Sequence, residues 1–192
     1  MLDEQFSERK LEILAAAQNI IFTKNTTKIS LTDVAQELGI THNALYRHFK
    51  NKDDLWYSLA KYWLFENEQV LQHLIDDATT NALQTLNDWL TTLTSSKRET
   101  YAEHPALFDL YTDLVQNHPD LEQEHLLNLR QQILAIFNIQ NAQDVQIEHA
   151  QAILDVFVYF YDPRFKDFWQ DANIQKRQEN IWQLIAPQIH FN

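Results

Sequence analysis

The sequence predicts an all-α protein: a three-helix head at the N-terminus, a long helix leaving it, and a larger helical domain at the C-terminus. Three observations predict it. Leu31, Val34, Ala35 and Leu38 recur at the spacing of an amphipathic helix. Gly39, the only glycine among 192 residues, stands directly after them, where a helix end calls for φ > 0. Pro105 and Pro119 fit the first helical turn, the position where a helix tolerates proline.

In the head, a first helix is expected from about Phe6 to Lys24, with Leu11, Leu14, Ala17, Ile21 and Phe22 toward the core, and a loop over Asn25–Ile29. Ser30 is placed to cap the second helix, Leu31–Leu38, with Asp33 three residues on to close a capping box. Ile40 plugs the turn and Thr41 caps the third helix, on which Leu45 and Phe49 point into the core. His42, Asn43, Tyr46, Arg47 and His48 include the positions that point elsewhere.

This is a helix-turn-helix pattern, whose second helix would lie in the major groove of DNA. Asn43 can pair bidentately with an adenine edge, and Arg47 can reach a guanine edge or a phosphate. Tyr46 and His48 can donate to phosphate oxygens, and Lys52 stands at the first turn of the next helix, behind the expected cap Asn51. Thr32, Thr41 and His42 complete the expected set of DNA contacts. His42 and His48 could also be plain surface residues; their place on the reading helix favours contact.

The formal net charge of −12 argues at first sight against nucleic acid. Residues 1–56 hold seven Lys/Arg and eight Asp/Glu, a net of −1, so −11 falls on the remainder. Between His42 and Lys52 there are three cations and no carboxylate. A head of that charge implies modest non-specific affinity and dependence on dimerisation. Cysteine is absent, which removes disulfides, zinc–thiolate sites and thiol nucleophiles. The N-terminus, MLDEQFSERK, is not a signal peptide, and the longest apolar run, Val156–Tyr161, is too short to span a bilayer. A cytoplasmic protein is expected.

A fourth helix is expected from Lys52 to about Ile75, with Trp56, Leu59, Trp63 and Val70 as its apolar stripe. Further helices follow at roughly Asn81–Lys97, Pro105–Asn117, Pro119–Ile139, Asp144–Tyr161 and Ile174–Ile189. Asp162-Pro163 breaks the chain, with a short helical turn at Arg164–Trp169. Ile153, Leu154, Phe157, Val158 and Tyr161 lie in a segment too apolar for one buried face, Ile181, Trp182 and Ile185 lie on the stripe of the last helix, and both sets are expected at a dimer interface. The plainer reading makes them core. Trp63, Glu66, Trp89, Phe108, Tyr111, His118 and Tyr159, with Tyr62 and Asp113, are the candidates for an effector pocket, although aromatics at helical spacing also serve as core. Asp155 shares a stripe with Glu148, Gln151 and Asp162, read as a solvated face. His118, Glu122 and His125 match no compact metal motif, and neither metal nor cofactor is expected.

The sequence resembles the TetR family of bacterial transcriptional regulators. The resemblance is carried by Val34-Ala35, Leu38-Gly39-Ile40-Thr41, Ala44-Leu45-Tyr46-Arg47-His48-Phe49, Lys50-Asn51-Lys52 and Leu55, and covers Phe22 to about Trp56. There are two departures. Asn25 or Thr26 stands where the family usually has glycine, and Asn43 replaces another frequent glycine, adding a side chain that could read a base. The resemblance implies a DNA-binding domain at 1–52, an effector-binding and dimerisation domain at 53–192, and a dimer formed by the last two long helices. It implies a repressor released from double-stranded operator DNA by a small-molecule effector. The alternative is a helical ligand-binding or scaffold protein whose helix-turn-helix is purely structural, which leaves the cation-rich reading helix unexplained. An enzyme is not expected, since phosphate-loop, nucleophile and metal motifs are missing.

Overall fold

A computed structural model describes residues 6–24, 26 and 28–191, so the reading of Asn25 lies outside the described residues. Among the described residues the secondary structure is wholly helical. The helices are α1 (Glu8–Lys24), α2 (Leu31–Glu37), α3 (His42–Leu45), α4 (Lys52–Asp76), α5 (Ala82–Glu103), α6 (Pro105–Gln116), α7 (Pro119–Ile136), α8 (Asp144–Tyr161) and α9 (Ile174–Ile185). Short 3₁₀ helices cover Pro163–Phe168 and Ala186–Gln188. None is long and apolar enough to cross a membrane.

The chain divides into two units. The first holds Met1–Phe65 and Glu103–Glu122, the second Glu66–Ala102 and Gln123–Asn192. This differs from a division at residue 52. The first half of α4 belongs to the head because Leu55, Trp56, Leu59 and Ala60 are buried there, and α6 joins it through Trp63, which stacks on Tyr111 at 4.6 Å and meets Phe108 edge-on at 6.3 Å.

In α1 the buried stripe is Ile13, Leu14, Ala17, Ile20 and Ile21. Leu11 is only half-buried, and Phe22, expected in the core, is 53% exposed. One residue beyond Ile21 turns the side chain about 100° off the stripe, and the Phe22 ring rests on the His104 ring at 4.4 Å instead. On α4, Val70 is likewise exposed, because past Phe65 the covered positions are Glu68 and Leu71, at i and i+3.

Helix ends follow local chemistry. α5 runs six residues past Lys97 because nothing interrupts it before His104, which Pro105 forces out of helical geometry (φ −136°, ψ 61°). α7 stops three residues before Ile139. Asn138 takes φ 58°, Asn138 N donates to Ala135 O at 2.9 Å and Ile139 N to Leu134 O at 3.0 Å, the pair of bonds of a Schellman cap.

The core of the second unit is built from α4, α5, α7, α8 and α9, around Trp89, Leu90, Leu129, Ile133, Leu154 and Phe157. Leu154 and Phe157 are fully buried and Tyr161 and Ile153 nearly so, within the chain itself. Their expected place at a dimer interface is therefore corrected: these side chains have little or no area left for a partner. Asp162 leaves the solvated stripe too. It is buried, caps the following 3₁₀ turn through Arg164 N and pairs with the Arg164 guanidinium, while Glu148 and Asp155 stay exposed.

Lys97 is buried in this core with its ammonium 5.5 Å from the centre of the Tyr161 ring. Desolvation pushes its pKa down to about 8, opposed by the charges of Asp162 and Glu68. A base depressed by folding destabilises the fold fully below its folded pKa, and that penalty is relieved as pH rises from about 8 toward 10.5. Lys97→Met is expected to raise stability at pH 7 by about 1–3 kcal/mol, since each unit of pKa depression carries about 1.4 kcal/mol, and to flatten the rise between pH 8 and 10.5. Urea titrations at several pH values check both.

Candidate nucleic-acid interface and effector region

The turn between α2 and α3 is set by three local devices. Ser30 caps α2: its Oγ accepts from Asp33 N at 3.2 Å while the Asp33 carboxylate accepts from Ser30 N at 2.7 Å. The Ser30 hydroxyl also donates to that carboxylate at 2.6 Å and holds it below the usual carboxylate range. At the other end Gly39 takes φ +63°, with Gly39 N donating to Gln36 O and Ile40 N to Ala35 O, a second Schellman cap. Thr41 Oγ1 then accepts from Ala44 N at 3.2 Å and starts α3. A Cβ at Gly39 would meet nothing within 4 Å, so a substitution there costs backbone strain alone. Gly39→Val is expected to cost about 1–3 kcal/mol, and Gly39→Asn less; thermal melts of both variants decide it.

α3 is shorter than expected. The α-helix covers only His42–Leu45, and Arg47 N and His48 N donate to Ala44 O and Leu45 O in i→i+3 turns. Leu45 and Phe49 are buried as expected, which leaves His42, Asn43, Tyr46 and Arg47 exposed. Asn43, Tyr46 and Arg47, at i, i+3 and i+4, share one face. The His42 ring meets the Tyr46 ring edge-on at 4.8 Å. Thr32 and Thr41 are exposed; the Thr41 oxygen is taken up as acceptor by the cap, which leaves its hydroxyl proton. His48 is half-buried. Asn51 caps α4, its Oδ1 accepting from Asp54 N at 2.8 Å, and the Lys52 ammonium sits 5.6 Å from the Trp56 ring centre. Two carboxylates, Asp53 and Asp54, occupy the same first turn, so Lys52 is the group there that can meet a phosphate.

The pocket candidates are divided between the units. In the first, Phe108 and Tyr111 are fully buried and packed with Trp63, and the His118 ring is edge-on to Tyr57 at 4.9 Å. In the second, Glu66 is exposed, Tyr159 is half-buried against Phe165 and Phe168, and Trp89 is fully buried.

Trp89 leads to a polar core that sequence reasoning missed. Its Nε1 donates to Gln132 Oε1 at 2.8 Å, and Gln132 Nε2 donates to Glu68 O at 2.9 Å. The Glu68 carboxylate accepts from His125 Nδ1 at 2.5 Å and from Asn128 Nδ2 at 2.8 Å. Glu68 and His125 are both buried. The signal was present on α7: His125 and Gln132 lie at i+4 and i+11 from buried Leu121, on its covered face. Among the described residues no group of three or more metal-ligating side chains comes together.

The fold and the head geometry find their counterpart in known proteins. The profile described as "Bacterial regulatory proteins, tetR family" matches residues 13–57, and "Tetracyclin repressor-like, C-terminal domain" matches residues 82–182, more than half of the chain. The chain belongs to the TetR family. The HTH-type transcriptional regulator TtgR of Pseudomonas putida is 33% identical over 52 residues, 27% of this chain and 25% of TtgR. The chain thus matches about a quarter of the length of such relatives. A TetR transcriptional regulator from Rhodococcus sp. RHA1 superposes with a TM-score of 0.61 at 16% identity, over 96% of each chain. FadR from Bacillus subtilis, solved in complex with stearoyl-CoA, superposes with a TM-score of 0.56 at 18% identity, over 94% of this chain and 99% of FadR. At these identities the structural likeness is one of fold.

Proposed function

We propose that this TetR-family protein is a dimeric transcriptional regulator, a repressor that reads operator DNA through α3 and leaves it when a small molecule binds the second unit. The observation that carries the reading is the exposed face Asn43–Tyr46–Arg47, held by the Gly39 turn and the Thr41 cap and flanked by His42 and Lys52. These side chains match base-edge and phosphate chemistry. Thr32, Thr41 and His48 stand beside them as further contacts. The competing reading, a helical ligand-binding or scaffold protein, gives no reason for such a face. No catalytic role is assigned, and the protein is placed in the cytoplasm.

A two-headed reader needs a two-fold axis that matches two half-sites. The surface offered to the second copy is the outer side of α8 and α9. Val156 is 43% and Leu184 77% exposed, and Val158, Ile181 and Ile185 are half-buried, whereas Trp182, expected with them, lines a cleft against α5. Val156 and Ile181 line a shallow groove of about 350 Å³ with Tyr159 and Phe160. Moving such a regulator from mostly bound to mostly free needs an effector that prefers the released state by about 5 kcal/mol. Helix α4 runs unbroken from the head into the second unit and is the element that can carry the change.

Hydroxyl-radical footprinting on a selected duplex tests the reading. Two protected patches one helical turn apart, about 34–36 Å, are the expected result. A single patch, or uniform protection, would contradict it.

A further inference from the structure

Helices α5 and α9 are tied together by Thr94 Oγ1 donating to Gln178 Oε1 at 2.9 Å, and Arg98 Nη1 donates to the same oxygen at 3.3 Å. Beside this junction, within the second unit, lies a cleft of about 430 Å³ whose walls include Asp88, Arg98, Gln178, Glu179 and Trp182. The volume is that of a small-molecule site. Its lining is amide, charged and aromatic rather than aliphatic. Gln178 is only 6% exposed, and among the described residues its amide oxygen accepts both of these bonds, which leaves its amide nitrogen as a donor for the cleft. Half-buried Arg98 makes one hydrogen bond, to Gln178, and no ion pair among the described residues; desolvation holds its pKa below the usual value. A guanidinium and an amide donor meeting on one space suit a carboxylate.

Opposite charge lines the cleft as well. Asp88 is ten residues from Arg98 along α5, about 15 Å at 1.5 Å per residue. Glu179 has no ion-pair partner among the described residues, and half-buried Trp182 offers an aromatic face to a cation. The lining therefore holds one cation and two carboxylates.

We infer that this cleft binds an amphoteric ligand with one carboxylate and two cationic nitrogens, a basic amino acid being the simplest, with its carboxylate on Arg98 and Gln178 and its side-chain cation between Trp182 and the acidic residues. The ligand's net charge of one positive then offsets the lining's net charge of one negative. As a binding site the cleft stands alone; as an effector site it rests on the regulator reading above.

Isothermal titration of the full chain with L-arginine and L-lysine tests this. Saturable binding of at least one is expected. Hexanoate lacks the cations and cadaverine the carboxylate, and each should bind about tenfold more weakly or worse. Arg98→Gln should weaken binding about tenfold. Glu179→Gln, at an exposed position, should weaken it several-fold with the melting temperature unchanged. No saturable binding by the parent protein, undiminished binding by both variants, or hexanoate binding as well as L-lysine would overturn the inference. A gel shift on a selected duplex separates the two readings. Binding with release of DNA supports the effector role, and binding without release overturns that role. A protein that titrates with amino acid but shifts no duplex supports the cleft and counts against the regulator.

Discussion

Glu68→Leu is expected to destabilise the second unit by about 3–5 kcal/mol, the cost of leaving one half of a buried pair without the other. Glu68 and His125 are both buried, 2.5 Å apart, and the second carboxylate oxygen serves Asn128. Removing the carboxylate strands the buried His125 donor and takes the partner from half-buried Asn128, and an unmade hydrogen bond in a buried site costs far more than a made one contributes. The charge of Lys97 loses one of its two opposing carboxylates as well. The double variant Glu68→Leu/His125→Phe should recover part of the loss, because an apolar pair of similar bulk needs no partner, while Asn128 stays without its acceptor. Equilibrium unfolding in urea measures both. A loss below about 1 kcal/mol for Glu68→Leu, or a double variant worse than the single one, would show that the polar network is not what holds this core.

The variant Asn43→Ala/Tyr46→Ala/Lys52→Ala is expected to lose operator affinity by about 100-fold or more, since one base-edge contact alone is worth about 1–3 kcal/mol. Its parts should separate. Tyr46→Ala and Lys52→Ala weaken binding to every sequence alike. Lys52→Ala also flattens the salt dependence, the slope falling by about 0.9 for a phosphate that is no longer neutralised. Asn43→Ala changes which sequence is preferred. All three side chains are exposed, so the melting temperature should stay put. Fluorescence anisotropy at several salt concentrations reads all of this. A triple variant that binds as tightly as the parent would remove α3 from the interface.

What could be read in advance divides along physical lines. The head was legible because its elements are specified by adjacent residues: Ser30 with Asp33, Gly39 with the two amide bonds around it, Thr41 with Ala44. Helix starts at Pro105 and Pro119 and the whole of α8 were legible for the same reason. What failed is what depends on neighbours far along the chain. Phe22 and Val70 fit an apolar stripe, but which side of a long helix is covered changes with its packing partners. Glu66 and Glu68 are two residues apart, about 200° around α4; the sequence offers no reason why the second is buried and the first exposed. The end of α7 turned on Asn138 adopting positive φ, which asparagine does only in some contexts. Leu154 and Phe157 were indistinguishable from interface residues because core and interface draw on the same side chains.

The head carries almost no net charge, so its affinity for DNA must come from specific contacts made twice rather than from bulk attraction. Selection of random duplex DNA on the purified protein, first at low and then at physiological salt, tests this most directly. The account predicts that an inverted repeat survives the higher salt, with half-sites set one helical turn apart or a multiple of it. Enrichment of no sequence at either salt, by a protein that is folded and dimeric, would contradict it.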